Sequence, residues 1–357
     1  MMEMYSAPEC AYMFEGNHIQ TDGSIKKKVT GTSMGGILTD GEGKPLSPWA
    51  TPFQVACNLL GLGRKDISMK KAVQRGVALE PKIIRYAGEK WADIGLFLPA
   101  EEVYAKREGD HDSWASDFED DVFAGHVDGI VMGDDGDYIL EVKTTINFDS
   151  WQNGVPEYYF WQVAIYNHFL TKKDKAYFVL GLATEVTDRD PASWVATEDT
   201  CILFEKAIDQ EAVEAKIAEI REWYDTYIAN GITPDYDPTN PDDVELWNHL
   251  KTVASSEQQT GLLVESLVRA REELAALKRD SGIEAKEEHI KQLTEQVKDL
   301  LVTNNLNSLQ CGDGVTTVSL SKRTSTTWDV GKMVADGIDT ARYQKTKTVY
   351  TLNIKKK

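Results

Sequence analysis

Apolar positions change their period several times along the chain. "TPFQVACNLLG" (51–61) and "MKKAVQRGVALEPKIIRYAGEKWA" (69–92) have helical spacing, the second through Val73, Val77, Ile83, Ile84 and Ala87. Pro81 can sit in the first turn of a helix or kink a longer one, so that boundary stays open. "FAGHVDGIVM" (123–132) and "DYILEVKTT" (137–145) read as strands joined by a hairpin turn at "GDDGD". "YYFWQVAIYNHFL" (158–170) is apolar nearly all round and predicts a buried helix. "KAYFVLGLAT" and "TCILFEKAI" predict two more strands, and residues 209–229 an amphipathic helix. Residues 1–30 show no period and read as irregular.

"NGITPDYDPTNPDD" (230–243) is rich in Pro, Asp and Asn and predicts a linker, dividing the chain into a domain over 1–235 and an appendage over 236–357. In the appendage, "LLVESLVRAREELAALK" and "AKEEHIKQLTEQVKDLL" flank "RDSGIE" and predict an antiparallel helical hairpin. Its seam sets Leu263, Leu267, Leu274 and Leu277 against Ile290, Leu293, Val297 and Leu300. "VTTVSLSKR", "TTWDV" and "TVYTLNIKKK" predict a small β element at the end.

The chain has 357 residues, 41% of them apolar, enough for a real core. No run of 18 apolar residues suggests a membrane span, and "MMEMYSAPEC" lacks the features of a signal peptide. Cys10, Cys57, Cys201 and Cys311 have no paired spacing and read as reduced cytosolic thiols. The net charge of −19 argues against a polyanionic partner. That charge is uneven: residues 236–357 hold 18 acids and 17 bases, and residues 311–357 hold 4 acids and 9 bases. Metal-dependent enzymes are also acidic where carboxylates serve as ligands. DNA therefore stays open as a partner.

The two central strands carry the candidate chemistry. Glu141 and Lys143, two apart on a strand, share a face, and Asp128 can lie across from them in the hairpin. Two carboxylates and an ammonium at one point make a charge-compensated divalent-cation site, to which the Val142 carbonyl can add an oxygen. A solvated hairpin with a cross-strand Lys–acid pair is the plainer alternative. Thr32 and Ser33 sit at a helix start, where N–H groups favour phosphate and where a plain cap is equally expected. Arg75 can reach a phosphate or serve only its helix; His126 is expected to share a strand face with Asp128. "GTSMG" fits the G-x-S-x-G pattern of serine hydrolases, without an apolar strand before it or a histidine in triad context.

"HVDGIVMGDDGDYILEVKTT" resembles the core of the PD-(D/E)XK nucleases. "KKAVQRGVALEPKIIRYAGEKWA", with Gly76 and Glu80, "YYFWQVAIYNHFL", with Gln162 and Tyr166, and "GTSMGGIL" are similar to the motifs of the YqaJ-like viral recombinase branch, the lambda-exonuclease type. The resemblance implies a three-layer α/β/α restriction-endonuclease-like fold. It implies Asp128, Glu141, Glu80 and the Val142 carbonyl as ligands of Mg²⁺, with Mn²⁺ substituting. Lys143 would act on the attacking water or the phosphate charge, and Gln162 would support the site or make a helix–sheet contact. Thr32, Ser33 and Tyr166 would lie towards DNA; Arg75 and His126 join them as candidate nucleic-acid contacts on their own residue type, the family not being consistent at His126. The implied activity is exonucleolytic digestion of linear double-stranded DNA, 5′ to 3′, leaving 3′ overhangs for phage-type recombination. The implied setting is the cytoplasm of a bacterial host, as a homo-oligomer acting on duplex ends with a single-strand annealing protein. A related endonuclease or single-strand nuclease is the alternative. A serine hydrolase and a non-catalytic DNA-binding protein are more distant ones.

Overall fold

The computed structural model describes residues 5–103, 116–254, 257–277, 283–312, 315–328 and 344–356. In chain order its elements begin with β1 (Tyr12–Glu15), β2 (His18–Thr21), α1 (Gly31–Ile37), α2 (Pro52–Leu59) and α3 (Lys71–Lys90). Next come β3 (Leu96–Pro99), α4 (Ala100–Val103), β4 (Gly129–Gly133), β5 (Gly136–Thr145), α5 (Glu157–Leu170), β6 (Lys175–Leu182) and α6 (Glu185–Arg189). The order closes with β7 (Cys201–Ala207), α7 (Gln210–Thr226), α8 (Pro241–Ala254), α9 (Glu257–Leu277), α10 (Ile283–Thr303), β8 (Ser308–Gln310), β9 (Thr316–Trp328) and β10 (Gln344–Lys356). These elements form two compact units, Met1–Ala7 with Ile25–Val244, and Pro8–Ser24 with Glu245–Lys357.

The first unit is a mixed five-stranded sheet flanked by helices, in the order β3-β4-β5-β6-β7. All neighbours are antiparallel except β5 and β6, which α5 connects as a parallel pair. Alternation along β5 sorts its two faces. Tyr138, Leu140 and Val142 pack with Leu79, Ile83, Ile84 and Ala87 of α3. Glu141 faces the other way, towards Gln162 of α5. Helix α3 runs unbroken through Pro81, which resolves the open boundary. Pro81 offers no N–H to the Val77 carbonyl, but Val77 is 72% exposed, so water can donate to that carbonyl in place of the missing N–H. Helix α2 starts on a cap, the Thr51 hydroxyl accepting from the Gln54 N–H at 3.2 Å, with Pro52 in the first turn.

Several sequence expectations are corrected. The strand expected from residue 123 starts only at Gly129, so His126 and Asp128 lie on the loop before it. β3, which no period announced, pairs with β4 from Leu96↔Met132 to Pro99↔Gly129. The segment expected as a free linker is packed: Asp243, 1% exposed, accepts from the Thr51 hydroxyl and the Gln54 amide, both at 2.6 Å, and from the Asp237 N–H at 3.0 Å. Tyr236 lies against the Phe53 ring and Thr233 is buried. The units therefore divide after residue 244, inside α8, rather than at 235.

The second unit takes in residues 8–24, expected to be irregular, as the β1–β2 hairpin turning at Gly16 (φ 62°). The Tyr12 hydroxyl donates to the Leu250 carbonyl at 2.8 Å, Gln259 donates to the Tyr12 carbonyl at 3.2 Å, and the Ser266 hydroxyl donates to Asp22. Leu263, Val264, Leu267 and Ala270 of α9 meet Leu293, Val297 and Leu301 of α10 in one core with Ala11, Val318 and Leu352. Leu301 is buried where Leu300, the expected position, is partly so; the Leu277 side chain lies outside the described residues. The sheet order is β10-β9-β8, and Thr326–Trp328 of "TTWDV" continue β9 rather than forming a separate strand.

Candidate active site

The sheet register brings Asp128 to Glu141. β4 pairs with β5 from Gly129↔Leu140 onwards, so one step further Asp128 stands where the ladder opens. There the Val142 N–H donates to Asp128 Oδ2 at 2.8 Å. N–H and C=O of one strand residue point to the same side, so the Val142 carbonyl turns towards this opening as well. Asp128 is fixed from behind by its loop. Asp117 Oδ2 accepts the Val127 N–H at 2.9 Å, and the Ser116 hydroxyl oxygen accepts the Gly125 N–H at 3.0 Å.

Glu141 is fully buried. Its Oε1 accepts from Gln162 Nε2 at 2.9 Å and from the Lys143 ammonium. Its Oε2 is buried without a hydrogen-bond partner. Burial, then repulsion from Asp128, pushes the Glu141 carboxyl up to about 7 against the pull of Lys143, and Glu80 adds to the push. Glu80, on α3, is likewise pushed up to about 7 by burial and by Asp128, with Glu101 adding to it. Burial alone would lower the Lys143 ammonium, but attraction to Glu141 and Asp128 outweighs it and holds it above the ordinary lysine value. Its Nζ also lies 5.0 Å from the centre of the Tyr159 ring, a cation–π contact.

Helix α5 delivers this arrangement through three residues on one face, Tyr159, Gln162 and Tyr166. Gln162 lies so close to α1 that a Cβ on Gly31 would stand 2.5 Å from its side chain. One turn on, the Tyr166 hydroxyl accepts the Gly31 N–H at 2.7 Å, and a Cβ on Gly125 would stand 2.0 Å from it. The glycine of "GTSMG", the glycine before His126 and the Q-x-x-x-Y helix thus interlock.

Other expected site residues are placed elsewhere. Tyr166 is 2% exposed and clamps the start of α1, so its ring is not presented to a ligand. Ser33 is buried in the first turn of α1, while Thr32 is exposed with its hydroxyl 3.3 Å from that of Thr30. Arg75 is buried, paired with Asp188 and donating to the Thr144 hydroxyl at 3.2 Å, which ties α3 to α6 and the end of β5. His126 is exposed beside Asp117, Nδ1 to Oδ1 3.0 Å, and shares no strand face with Asp128. Sequence reasoning missed Tyr159 and Glu101; Tyr159 was signalled by its place three residues before Gln162 on one helix face.

Among the described residues no three His, Cys, Asp or Glu side chains are grouped to hold a metal ion as they stand. The donor chemistry fits one. A buried carboxylate oxygen without a partner costs on the order of 1–3 kcal/mol, which a cation at Glu141 Oε2 would remove. The mutual repulsion of Glu80, Asp128 and Glu141 is also what a divalent ion offsets, and an all-oxygen donor set suits Mg²⁺ or Mn²⁺.

Among solved structures, the chain is similar to an alkaline exonuclease from Laribacter hongkongensis at 16% identity and a TM-score of 0.35, covering 63% of this chain and 91% of that one. The same exonuclease in complex with dAMP gives 18% and 0.33, over 64% and 91%. A phage related exonuclease from Haemophilus somnus 129PT gives 16% and 0.40, over 57% and 96%. No curated protein matches the chain. Residues 2–173 match the model of the YqaJ-like viral recombinase domain, a span that holds Glu80, Asp128, Glu141, Lys143 and Gln162 together. Over residues 2–173 the chain thus carries a YqaJ-like viral recombinase domain.

Proposed function

We propose that the first unit is a divalent-metal-dependent deoxyribonuclease. It digests linear double-stranded DNA from its ends, 5′ to 3′, and leaves 3′ overhangs for phage-type recombination. The observation that carries this reading is Glu141: a buried carboxylate with one oxygen tied down by Lys143 and Gln162 and the other unpartnered, amid two further acids. A structural ion pair has no use for that second oxygen.

Glu141 Oε2, Asp128, Glu80 and the Val142 carbonyl would hold Mg²⁺, with Mn²⁺ substituting. Such an ion supplies an attacking water that ionises near neutral pH and positive charge for the phosphate. Gln162 keeps Glu141 in its rotamer, and the Val142 N–H does the same for Asp128. Lys143, held protonated by its two acidic neighbours, donates to a non-bridging phosphate oxygen as charge builds there, and does not serve as the base. Water attacks phosphorus, the 3′-oxygen of the neighbouring nucleotide leaves, and a 5′-phosphate product results.

The test is digestion of linear DNA labelled at the 5′ or the 3′ end, beside a closed circle, with Mg²⁺, Mn²⁺, Ca²⁺ or EDTA. Early release of the 5′ label in Mg²⁺ and Mn²⁺ only, with the circle intact, is the expected result. Cutting of the circle would replace the exonuclease with an endonuclease, and cleavage in EDTA would remove the metal from the mechanism.

A further inference from the structure

Strands β9 and β10, 13 residues each, carry six bases (Lys322, Arg323, Lys345, Lys347, Lys355, Lys356) and no acid, in a chain with 58 acids to 39 bases. They pair in one unbroken register from Thr316↔Lys356 to Trp328↔Gln344. The third strand, β8, meets β9 only at Thr317–Ser319. Beyond it Ser321–Trp328 and Gln344–Thr351 run on as a two-stranded ribbon, with no third strand among the described residues. An isolated ribbon of this kind adds little stability by itself. Its base is anchored, with Val318 and Leu352 buried in the core of the second unit.

The pleat separates two faces. Val318, Leu320, Leu352 and Ile354 point into that core, and Lys322 and Tyr350 continue their side. Ser321, Arg323, Thr351, Val349 and Lys347 share the opposite side and are exposed. Bases interleaved with hydroxyl side chains, without a carboxylate to repel a phosphate, match a nucleic-acid backbone. A two-stranded antiparallel ribbon also has the width that the major groove of a duplex admits.

We infer that the β9–β10 ribbon is a second DNA contact, a sequence-independent phosphate-binding ribbon for the duplex on which the first unit acts. It rests on the reading of that unit as a nuclease. Carried on the same chain, it raises the effective concentration of duplex for the active site.

The experiment uses the full chain with Glu141→Gln, titrated in EDTA against a fluorescent blunt duplex across a salt series. Replacing Lys322, Arg323 and Lys347 together by Ser is expected to weaken binding about tenfold or more and to reduce the slope of log affinity against log salt by about 2–3. The charge-keeping pair Lys322→Arg and Lys347→Arg is expected to bind as the parent does. A folded triple variant with unchanged affinity and slope overturns the inference, as does an Arg pair that binds as poorly as the Ser triple. Should polyglutamate bind the parent in preference to DNA, an acidic protein partner replaces the duplex and the inference also falls. Cleavage by the unsubstituted chain is measured separately. Binding without cleavage defeats the nuclease reading and leaves the ribbon standing, and cleavage with an inert ribbon does the reverse.

Discussion

Glu141 and Glu80 make the stability of the metal-free protein depend on pH in an unusual direction. Both carboxyls rise from an ordinary 4.5 to about 7, so the folded chain keeps protons that the unfolded chain has released. The stabilisation is complete below about pH 4.5 and falls as pH rises through 7, by on the order of 1–3 kcal/mol for the fully buried Glu141 and by less for the partly exposed Glu80, where solvent screens the interaction. Melting temperatures in EDTA should therefore drop from pH 5 to pH 8, and Mg²⁺ should reduce the drop. A flat or rising profile would mean that burial and mutual repulsion do not hold these carboxyls protonated. Glu141→Gln keeps the shape and removes the charge, so it should melt no lower than the parent at pH 8 in EDTA. It should nevertheless cleave DNA at least about 100-fold more slowly, as should Lys143→Ala, because these groups act as a unit.

At the scale of elements, the seating of α5 is decided by two glycines. Gly31→Ala drives a methyl into Gln162 and Gly125→Ala drives one into the Tyr166 hydroxyl, whereas nothing lies within 4 Å of the Cβ position at Gly41. Each of the first two should cost roughly 1–3 kcal/mol by overpacking, and Gly41→Ala should be neutral; equal denaturation midpoints for all three would refute this. Adding Gln162→Ala to Gly31→Ala should recover stability without recovering cleavage. Much of this architecture was legible in the sequence. β5 could be read because Leu140 and Val142 alternate with Glu141 and Lys143, and the turn after Gly133 fixed how Asp128 would meet them. The short strands β1, β2 and β3 have four residues each, too few to establish a period, and Pro99 further disguised β3. Tyr166 and Arg75 show another limit. Their residue types suit a ligand, but only the fold shows that their polar atoms are engaged inside the protein.

Over the whole molecule, the two units do not follow the chain in simple order, and a cut after residue 235 suits neither. It removes Asp243 from beneath Thr51 and Gln54, and it leaves the Tyr12–Thr21 hairpin without Leu250, Gln259 and Ser266. Such a truncation should melt several degrees below one that ends at 254 and replaces residues 8–24 with a short flexible link; a reversed order in thermal unfolding would count against the division. The early hairpin also has a consequence for synthesis. Residues 8–24 are translated before residues 25–244, yet the rest of their unit is translated after them, so these strands must wait until the first unit has been made. Until then the apolar residues of this segment, among them Ala11, Tyr12 and Ile19, lack the unit in which they are buried. A nascent chain stalled after the first unit would therefore carry that unit folded together with an uncovered apolar segment, which is the state a chaperone would meet.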